Sequence, residues 1–358
     1  MTYKDDWEDA KRRMTAWWEG EVLDRVCLQV TAPKEGARQR PIPEPPDLLT
    51  RWTDADYLIE KAQERFRATF YGGEAFPCFV PNFGPDVFSA FLGADLVFAE
   101  TTSWAETPVV RDWTSPPHCL DPENRWWRRM KGLIETAVER AEGAFVVAVP
   151  DTHAGGDALA ALRGREALCL DLLDHPDAVR SAMASLERAV IEVYEALYPI
   201  VRRPGLGTCG WLPAWSPLRG NVIQCDFLAL ISPSMAEASG ILHDLKVQAA
   251  WLDHAIYHLD GPGALPHLDR LLEIPDIRAI QWVPGAGAPP PSGWIPLLRR
   301  IQRAGRGLHL SVAPGEVEVL LSELSPEGLM LSASVRSEAE AKDLLRKAAA
   351  WTRRGGRG

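Results

Sequence analysis

Eight short apolar runs give this chain its dominant pattern. Each run is rich in β-forming residues, ends at glycine, proline or charged residues, and is apolar throughout instead of alternating with polar positions. Continuous apolar strands are typical of parallel sheets that helices cover on both sides. The predicted strands span residues 26–30, 78–81, 145–149, 206–211, 255–259, 277–283, 307–312 and 328–333.

Amphipathic stretches between most of these runs predict helices. Ser232-Pro233 places a proline in the first turn of one helix, and the sequence Ser-Glu-Ala-Glu from Ser337 matches a capping box. Strands that alternate with helices favour an α/β fold, here a (β/α)8 TIM barrel. The alternative, an open doubly wound sheet, lacks a supporting G-x-G-x-x-G or Walker loop. The predicted helices span residues 54–70, 122–141, 177–197, 234–254, 294–304, 316–324 and 337–351.

The pattern predicts one main domain. An N-terminal helical extension over residues 1–25 precedes a barrel over residues 26–351, and residues 352–358 are expected to be a disordered tail. The connection over residues 31–54 contains a cluster of prolines and is too long for a plain barrel loop. We therefore expect this connection to have a function, for instance as a lid.

Composition excludes several classes of partner. The net charge of −10 and a pI of about 5.4 argue against nucleic acid or an anionic membrane as the main partner. No apolar segment approaches the roughly 18–20 residues of a membrane span, and the charged N-terminus lacks a signal-peptide core. Six cysteines without a C-x-x-C pair fit reduced thiols, and we expect a cytoplasmic protein with a small-molecule substrate.

The most informative motif ends the fifth predicted strand. His258 and Asp260 are two residues apart and precede a Gly-Pro-Gly break. In a strand such residues point to the same side, so both side chains are expected to converge where active sites of barrels lie. A structural His–Asp hydrogen bond at a turn is the alternative. If the pair binds a metal, Glu318, His309 or Cys225 would complete the site.

Other polar or aromatic residues fall near the ends of predicted strands, where a barrel would gather them around one cleft. Purely structural roles are the alternative: Asp151 could cap a turn, and Trp282 could belong to the barrel core. The expected catalytic residues are His258, Asp260, Asp226 and His153, with His258 and Asp260 also the metal ligands. The expected substrate-binding residues are Asn82, Asp151, Trp211, Trp282, Arg38 and Arg40.

The order of several short motifs resembles the uroporphyrinogen decarboxylase superfamily, which also holds corrinoid- and thiol-dependent methyltransferases. The resemblance extends from about Trp17 to Trp351, and no single motif in it is highly specific. It implies a (β/α)8 barrel with a deep polar cleft and a homodimer. The matching segments are Phe91-Leu-Gly-Ala94, residues 151–164, Asp226 with Ile231-Ser-Pro233, and His258-Leu-Asp-Gly261.

Departures from the family pattern shape the expected reaction. The loop after the first strand offers Arg38 and Arg40 but not the arginine-rich pattern of the decarboxylases, and the region of their catalytic aspartate has no acid nearer than Asp86. The methyltransferases bind zinc through a His-x-Cys pair and a later Cys. His258 matches that histidine, whereas Asp260 replaces the first cysteine and no cysteine follows Cys225.

These observations favour methyl or one-carbon transfer, with zinc and a corrinoid, or a corrinoid protein, as the cofactor and partner that the resemblance implies. His258 would be either a metal ligand or a general acid–base held by Asp260. Three alternatives stay open: decarboxylation of a tetrapyrrole or small acid, a glycoside-type hydrolase, and a non-catalytic corrinoid- or porphyrin-binding protein.

Overall fold

The computed structural model of the chain describes residues 1–106, 108–114 and 119–355. The helices are α1 (Trp7–Trp18), α2 (Leu48–Thr53), α3 (Ala55–Arg67), α4 (Val87–Phe91), α5 (Arg125–Ala141), α6 (Gly156–Arg163), α7 (Arg165–Asp174), α8 (Pro176–Val201), α9 (Pro233–Ala238), α10 (Ile241–Trp251), α11 (Leu268–Leu272), α12 (Ile295–Arg303), α13 (Val317–Glu323) and α14 (Glu338–Gly355). The strands are β1 (Cys27–Pro33), β2 (Thr69–Gly73), β3 (Cys78–Phe79), β4 (Leu96–Phe98), β5 (Ser103–Ala105), β6 (Val146–Val147), β7 (Gly220–Gln224), β8 (His254–Asp260), β9 (Ile277–Val283), β10 (Gly307–Ser311) and β11 (Leu329–Ser334).

The fold is mixed α/β around a mostly parallel sheet. Seven strands pair in the order β2-β1-β11-β10-β9-β8-β7, and only the β1–β2 pair is antiparallel. A second, two-stranded parallel sheet joins β3 to β6, and β4 pairs with β5 in an antiparallel hairpin. Parallel strands need long crossovers, which the helices between them supply. The predicted α/β class with a mainly parallel sheet is confirmed.

One predicted strand was wrong. Residues 206–211 form no ladder, and Thr208 makes only an isolated antiparallel bridge to Ser216. Gly207 has a φ of +83°, which breaks an extended run. The strand at this place in the sheet is β7, where Val222 and Ile223 supply the β-branched residues that favour strands.

Two further predictions about helices also change. The predicted helix over 234–254 is split into α9 and α10 at Gly240, whose φ is +89°. The helix α14 continues to Gly355, so the first residues of the expected tail at 352–358 are helical and residues 356–358 lie outside the described ones. Within the described part of the chain, every helix is too short or too polar to cross a membrane.

Alternation along the strands divides the buried apolar residues into two groups. In β8, side chains at odd and even positions pack in different clusters. Tyr257 and Leu259 pack in the large cluster beneath the helices, whereas Ile256 packs in a smaller cluster. The smaller cluster, which we call the inner cluster, also takes Met14 and Trp17 of α1. The N-terminal helix therefore packs against the face of the sheet that carries this cluster.

A buried ion pair fixes the start of β1. Arg25 donates to both carboxylate oxygens of Glu74 at 2.6 and 2.8 Å, and Glu74 also accepts the backbone N–H of Leu28 at 2.7 Å. Glu74 has no exposed surface. Since three donors satisfy this buried carboxylate, it joins β1 firmly to the segment after β2.

Candidate active site

His258 and Asp260 lie together at the carboxyl end of β8. One oxygen of Asp260, one oxygen of Asp226 and one ring nitrogen of His258 are all within 4.8 Å of one another. The two β8 residues share a side because successive residues of a strand alternate. Asp226 joins them from the loop directly after β7, the neighbouring parallel strand. The structure thus gathers three of the expected catalytic residues at one point.

A buried glutamine orients the His258 ring. His258 Nδ1 is 2.6 Å from Gln281 Oε1, and Gln281 lies directly opposite His258 on β9. An amide oxygen only accepts, so Nδ1 carries the proton and Nε2 keeps its lone pair. Trp211 packs edge-on against the same ring, with centroids 5.2 Å apart. His258 is therefore held in the tautomer that a metal ligand or a general base needs.

Asp226 begins a short 3-10 helix, residues 226–230, and a neighbouring acid holds this helix in place. The carboxylate of Asp157 accepts the backbone N–H groups of Asp226 and Phe227 at 2.9 and 2.8 Å. Burial raises the pKa of Asp157, and the charge of Asp226 adds to that effect, while His153 and the two N–H groups oppose it. Asp157 thus links the first turn of α6 to the short 3-10 helix after β7.

His153 lies between two carboxylates. Its Nε2 is 3.1 Å from Asp151, and its Nδ1 is 3.7 Å from Asp157. Burial opposes its charge, but the hydrogen bond that His153 donates to Asp151 and the charges of Asp151, Asp157 and Asp226 outweigh burial and raise its pKa to about 9. His153 has a φ of +37°, a rare backbone conformation for a residue with a side chain. At neutral pH it is a cation beside the acids of the site.

The loop that carries His153 packs on a buried acid. A Cβ at Gly155 would overlap Oδ2 of Asp244, and one at Gly156 would lie 2.7 Å from Cys225 Sγ. Burial is the main cause that raises the pKa of Asp244 to about 7, although the Gln248 amide donates to Oδ2 at 2.8 Å. The two glycines allow this close approach because they have no Cβ.

A charged cavity of about 470 Å³ opens beside these groups. His153, Asp157 and Asp226 line one wall. Arg165 and the exposed ring of Trp104 line others. Asp226 also belongs to the His258 group, so this one residue connects the lining of the charged cavity to His258 and Asp260.

Several predicted binding residues lie elsewhere. Trp282 is 1% exposed and packs in the main core against Trp294, so the alternative interpretation of this residue as core fits the structure. Arg40 pairs with Glu60 and Glu64 on α3. Among the described residues, neither Arg38 nor Arg40 lines the charged cavity or a second cavity at the ends of β1, β10 and β11. Asn82 is exposed and accepts the Gly84 N–H at 2.7 Å, which closes a turn.

The third metal-ligand candidate also changes. Cys225 is buried in the main core, His309 lies two strands from His258, and Glu318 is exposed on α13. Asp226, predicted as a catalytic residue, occupies the place that these three were expected to fill. Gln281 was not predicted, although a lone amide within the apolar run of β9 was the available signal.

Comparison with known proteins gives a fold neighbour but no family. No family model and no curated protein matches the sequence. Among solved structures, a methyltransferase from Methanosarcina mazei is similar, with a TM-score of 0.63 and 12% sequence identity. The match covers 95% of this chain and 98% of that one. The fold is therefore methyltransferase-like.

Proposed function

We propose that this protein is an enzyme that transfers a methyl or other one-carbon group to or from a small molecule. The observation that carries the proposal is the meeting of His258, Asp260 and Asp226 within 4.8 Å at the carboxyl end of parallel strands. Active sites of α/β enzymes lie at that end of the sheet. The methyltransferase-like fold supports this choice of reaction. The cavities argue against decarboxylation, because Arg38 and Arg40 line neither of them and so cannot bind substrate carboxylates there.

We further propose that the strands close into an eight-stranded barrel. The inner cluster holds Cys27 of β1, Cys78 of β3, Val146 of β6 and Val222 of β7. An open sheet would keep its two edges apart, whereas a ring brings the inner faces of all its strands into one cluster. The Val149 N–H also donates to the Cys209 carbonyl at 2.9 Å, in the segment that leads into β7. The shared inner cluster and this hydrogen bond both support closure between β6 and β7.

The three meeting groups fit a divalent metal. Because His258 Nδ1–H donates to Gln281 Oε1, the Nε2 lone pair of His258 is available to a metal. Asp226 and Asp260 offer carboxylate oxygens. One imidazole and two carboxylates suit zinc, and they form a harder donor set than thiolates. Zinc bound here would supply Lewis acidity toward an oxygen or other polar group of the substrate. The Gln281 amide would act as the orienting partner of the histidine.

His153 has a separate role in this proposal. Its protonated ring offsets the negative charge of Asp157 and Asp226, and it lines the charged cavity. A cation at this place can donate a proton to, or hold, a substrate group that becomes negative. Asp151 keeps the ring in position through the 3.1 Å contact to Nε2. The site therefore combines a metal-binding half with a proton-donating half.

Two measurements test the proposal. Zinc content by mass spectrometry should approach one per chain in the wild type and fall severalfold in His258→Ala, while His243→Ala, an exposed histidine on α10, should leave it unchanged. The zinc-loaded protein should transfer methyl from methylcob(III)alamin to a thiol, alcohol or amine, which leaves cob(I)alamin and a proton, followed anaerobically by absorbance. Equal zinc in all three proteins, or no methyl transfer above the His258→Ala rate, contradicts the proposal.

A further inference from the structure

A second cavity of about 610 Å³ lies at the carboxyl ends of β1, β10 and β11. In contrast to the charged cavity, its described lining contains no Asp, Glu, Lys or Arg. Phe76, Leu212 and Val312 provide apolar walls, and Thr31 and Ser311 provide hydroxyl groups. We call this space the neutral cavity. A pocket of this composition suits an uncharged ligand, because an ion would lose its hydration without a partner.

A chain of hydrogen bonds fixes the proton positions at the floor of the neutral cavity. Gln29 Nε2 donates to the Pro213 carbonyl at 2.6 Å, which leaves Gln29 Oε1 as an acceptor. Ser332 Oγ donates to that oxygen at 2.7 Å. The same hydroxyl is 3.0 Å from His309 Nε2 and has already used its proton, so it accepts from the ring. His309 therefore carries its proton on Nε2.

The tautomer leaves His309 with an unused acceptor. His309 is 1% exposed, and among the described residues its Nδ1 has no hydrogen-bond partner. Burial lowers the pKa of this histidine to about 4, so the ring is neutral at physiological pH. A buried acceptor without a donor is costly, and a ligand that supplies an O–H or N–H removes that cost.

We propose that the neutral cavity binds an uncharged, partly apolar small molecule whose O–H or N–H group donates to His309 Nδ1. His309 and His258 each lie opposite Gln281, on its two neighbouring strands, so the backbones of the two histidines lie about 10 Å apart by strand spacing. This site goes beyond the proposed methyl transfer. It stands on its own hydrogen-bond chain, whether or not a metal binds at His258.

Matched probes test the proposal on the full-length protein. We would titrate 4-fluorophenol, 4-fluoroanisole and 4-fluorobenzoate at pH 7.5 and obtain each Kd from ¹⁹F NMR line broadening. The phenol is neutral with a donor, the anisole lacks the donor, and the benzoate is an anion. The phenol should bind about fivefold or more tightly than either of the other two probes. A fivefold difference in Kd corresponds to one hydrogen bond of about 1 kcal/mol.

Two variants identify the site. His309→Phe keeps an aromatic ring but removes the acceptor, so phenol affinity should fall about fivefold while anisole affinity stays within about twofold. His243→Phe, the same substitution at an exposed position, should change neither. Because His309→Phe also breaks the bond to Ser332, ¹⁵N-histidine NMR of the wild type provides a second readout. The deprotonated nitrogen signal of a buried neutral histidine should shift on phenol binding.

Each contrary result overturns the proposal. These results are benzoate binding as tight as phenol binding, phenol affinity that is unchanged in His309→Phe, an unmoved ¹⁵N signal at saturating phenol, and no binding of any probe to the wild type. None of these outcomes bears on zinc content, which is measured separately through His258→Ala. Failure of the neutral cavity and failure of the proposed metal site can therefore be told apart.

Discussion

The buried carboxyl of Asp244 offers a direct test of the packing beneath the active site. Asp244 is 1% exposed, lies against Gly155 of the His153 loop, and has a pKa of about 7 against an ordinary value of 3.8. At a pH between these two pKa values, the folded chain holds one proton more than the unfolded chain, because Asp244 is protonated only in the folded state. The contribution of this group to stability therefore falls as pH rises from about 4 to about 7, and stays at its lower level above that.

The magnitude follows from the size of the shift. Each pH unit in this window lowers the free energy of unfolding by about 1.4 kcal/mol. From pH 5 to pH 8.5 the window contributes about two units, or about 3 kcal/mol. Asp244→Asn resembles the protonated acid in shape and does not ionise. The variant should therefore gain about 3 kcal/mol relative to the wild type over that pH range.

Urea unfolding at equilibrium, measured at several pH values, tests this prediction. The difference in free energy of unfolding between Asp244→Asn and the wild type is the quantity to follow, because other titrating groups cancel in it. Asp5→Asn, the same substitution at an exposed aspartate, is the matched control. A flat difference for Asp244→Asn, or one that moves against the variant at high pH, would refute the reasoning.

Three further predictions concern single contacts. Gly155→Ala should lower the free energy of unfolding by about 2 kcal/mol or more in urea unfolding, because the new Cβ overlaps Asp244 and φ is +63°; a neutral change would contradict the close packing. Glu74→Ala should cost about 3–5 kcal/mol by the same assay since it leaves the Arg25 guanidinium buried without its partner, and a loss below about 1 kcal/mol would contradict this. Gln281→Leu should weaken zinc binding about 10- to 100-fold in a chelator competition, and an unchanged affinity would remove its orienting role.

Most of the parallel sheet could be predicted from the sequence, because its strands are apolar runs bounded by breaks. Runs such as those of β8 and β9 are buried on both faces and leave no helical period. The missed strand, β7, is short and follows a glycine-containing segment that has β-forming residues of its own, Thr208 and Trp211. Gly207 interrupts the first segment, and pairing with β8 identifies β7 as the strand that joins the sheet.

The active site was predictable where spacing along one strand decides the geometry, and not where different strands meet. His258 and Asp260 share a side through the two-residue period of β8. Their partner Gln281 depends on the register between β8 and β9, which includes an irregularity that the sequence does not mark. Trp282 is the next residue of β9, so it points to the opposite face of the sheet and packs in the main core. A one-residue difference in register decides which of the two lines the site.

The proposed function depends above all on His258, Asp226 and Asp260 forming one metal-binding site. Anomalous diffraction at the zinc edge, from crystals of the zinc-loaded protein, locates the metal without any assay of activity. We expect a single strong peak about 2.0–2.1 Å from His258 Nε2, with oxygens of Asp226 and Asp260 also in its coordination shell. A peak bound by other residues, or no peak beside His258 at full zinc loading, would contradict this site.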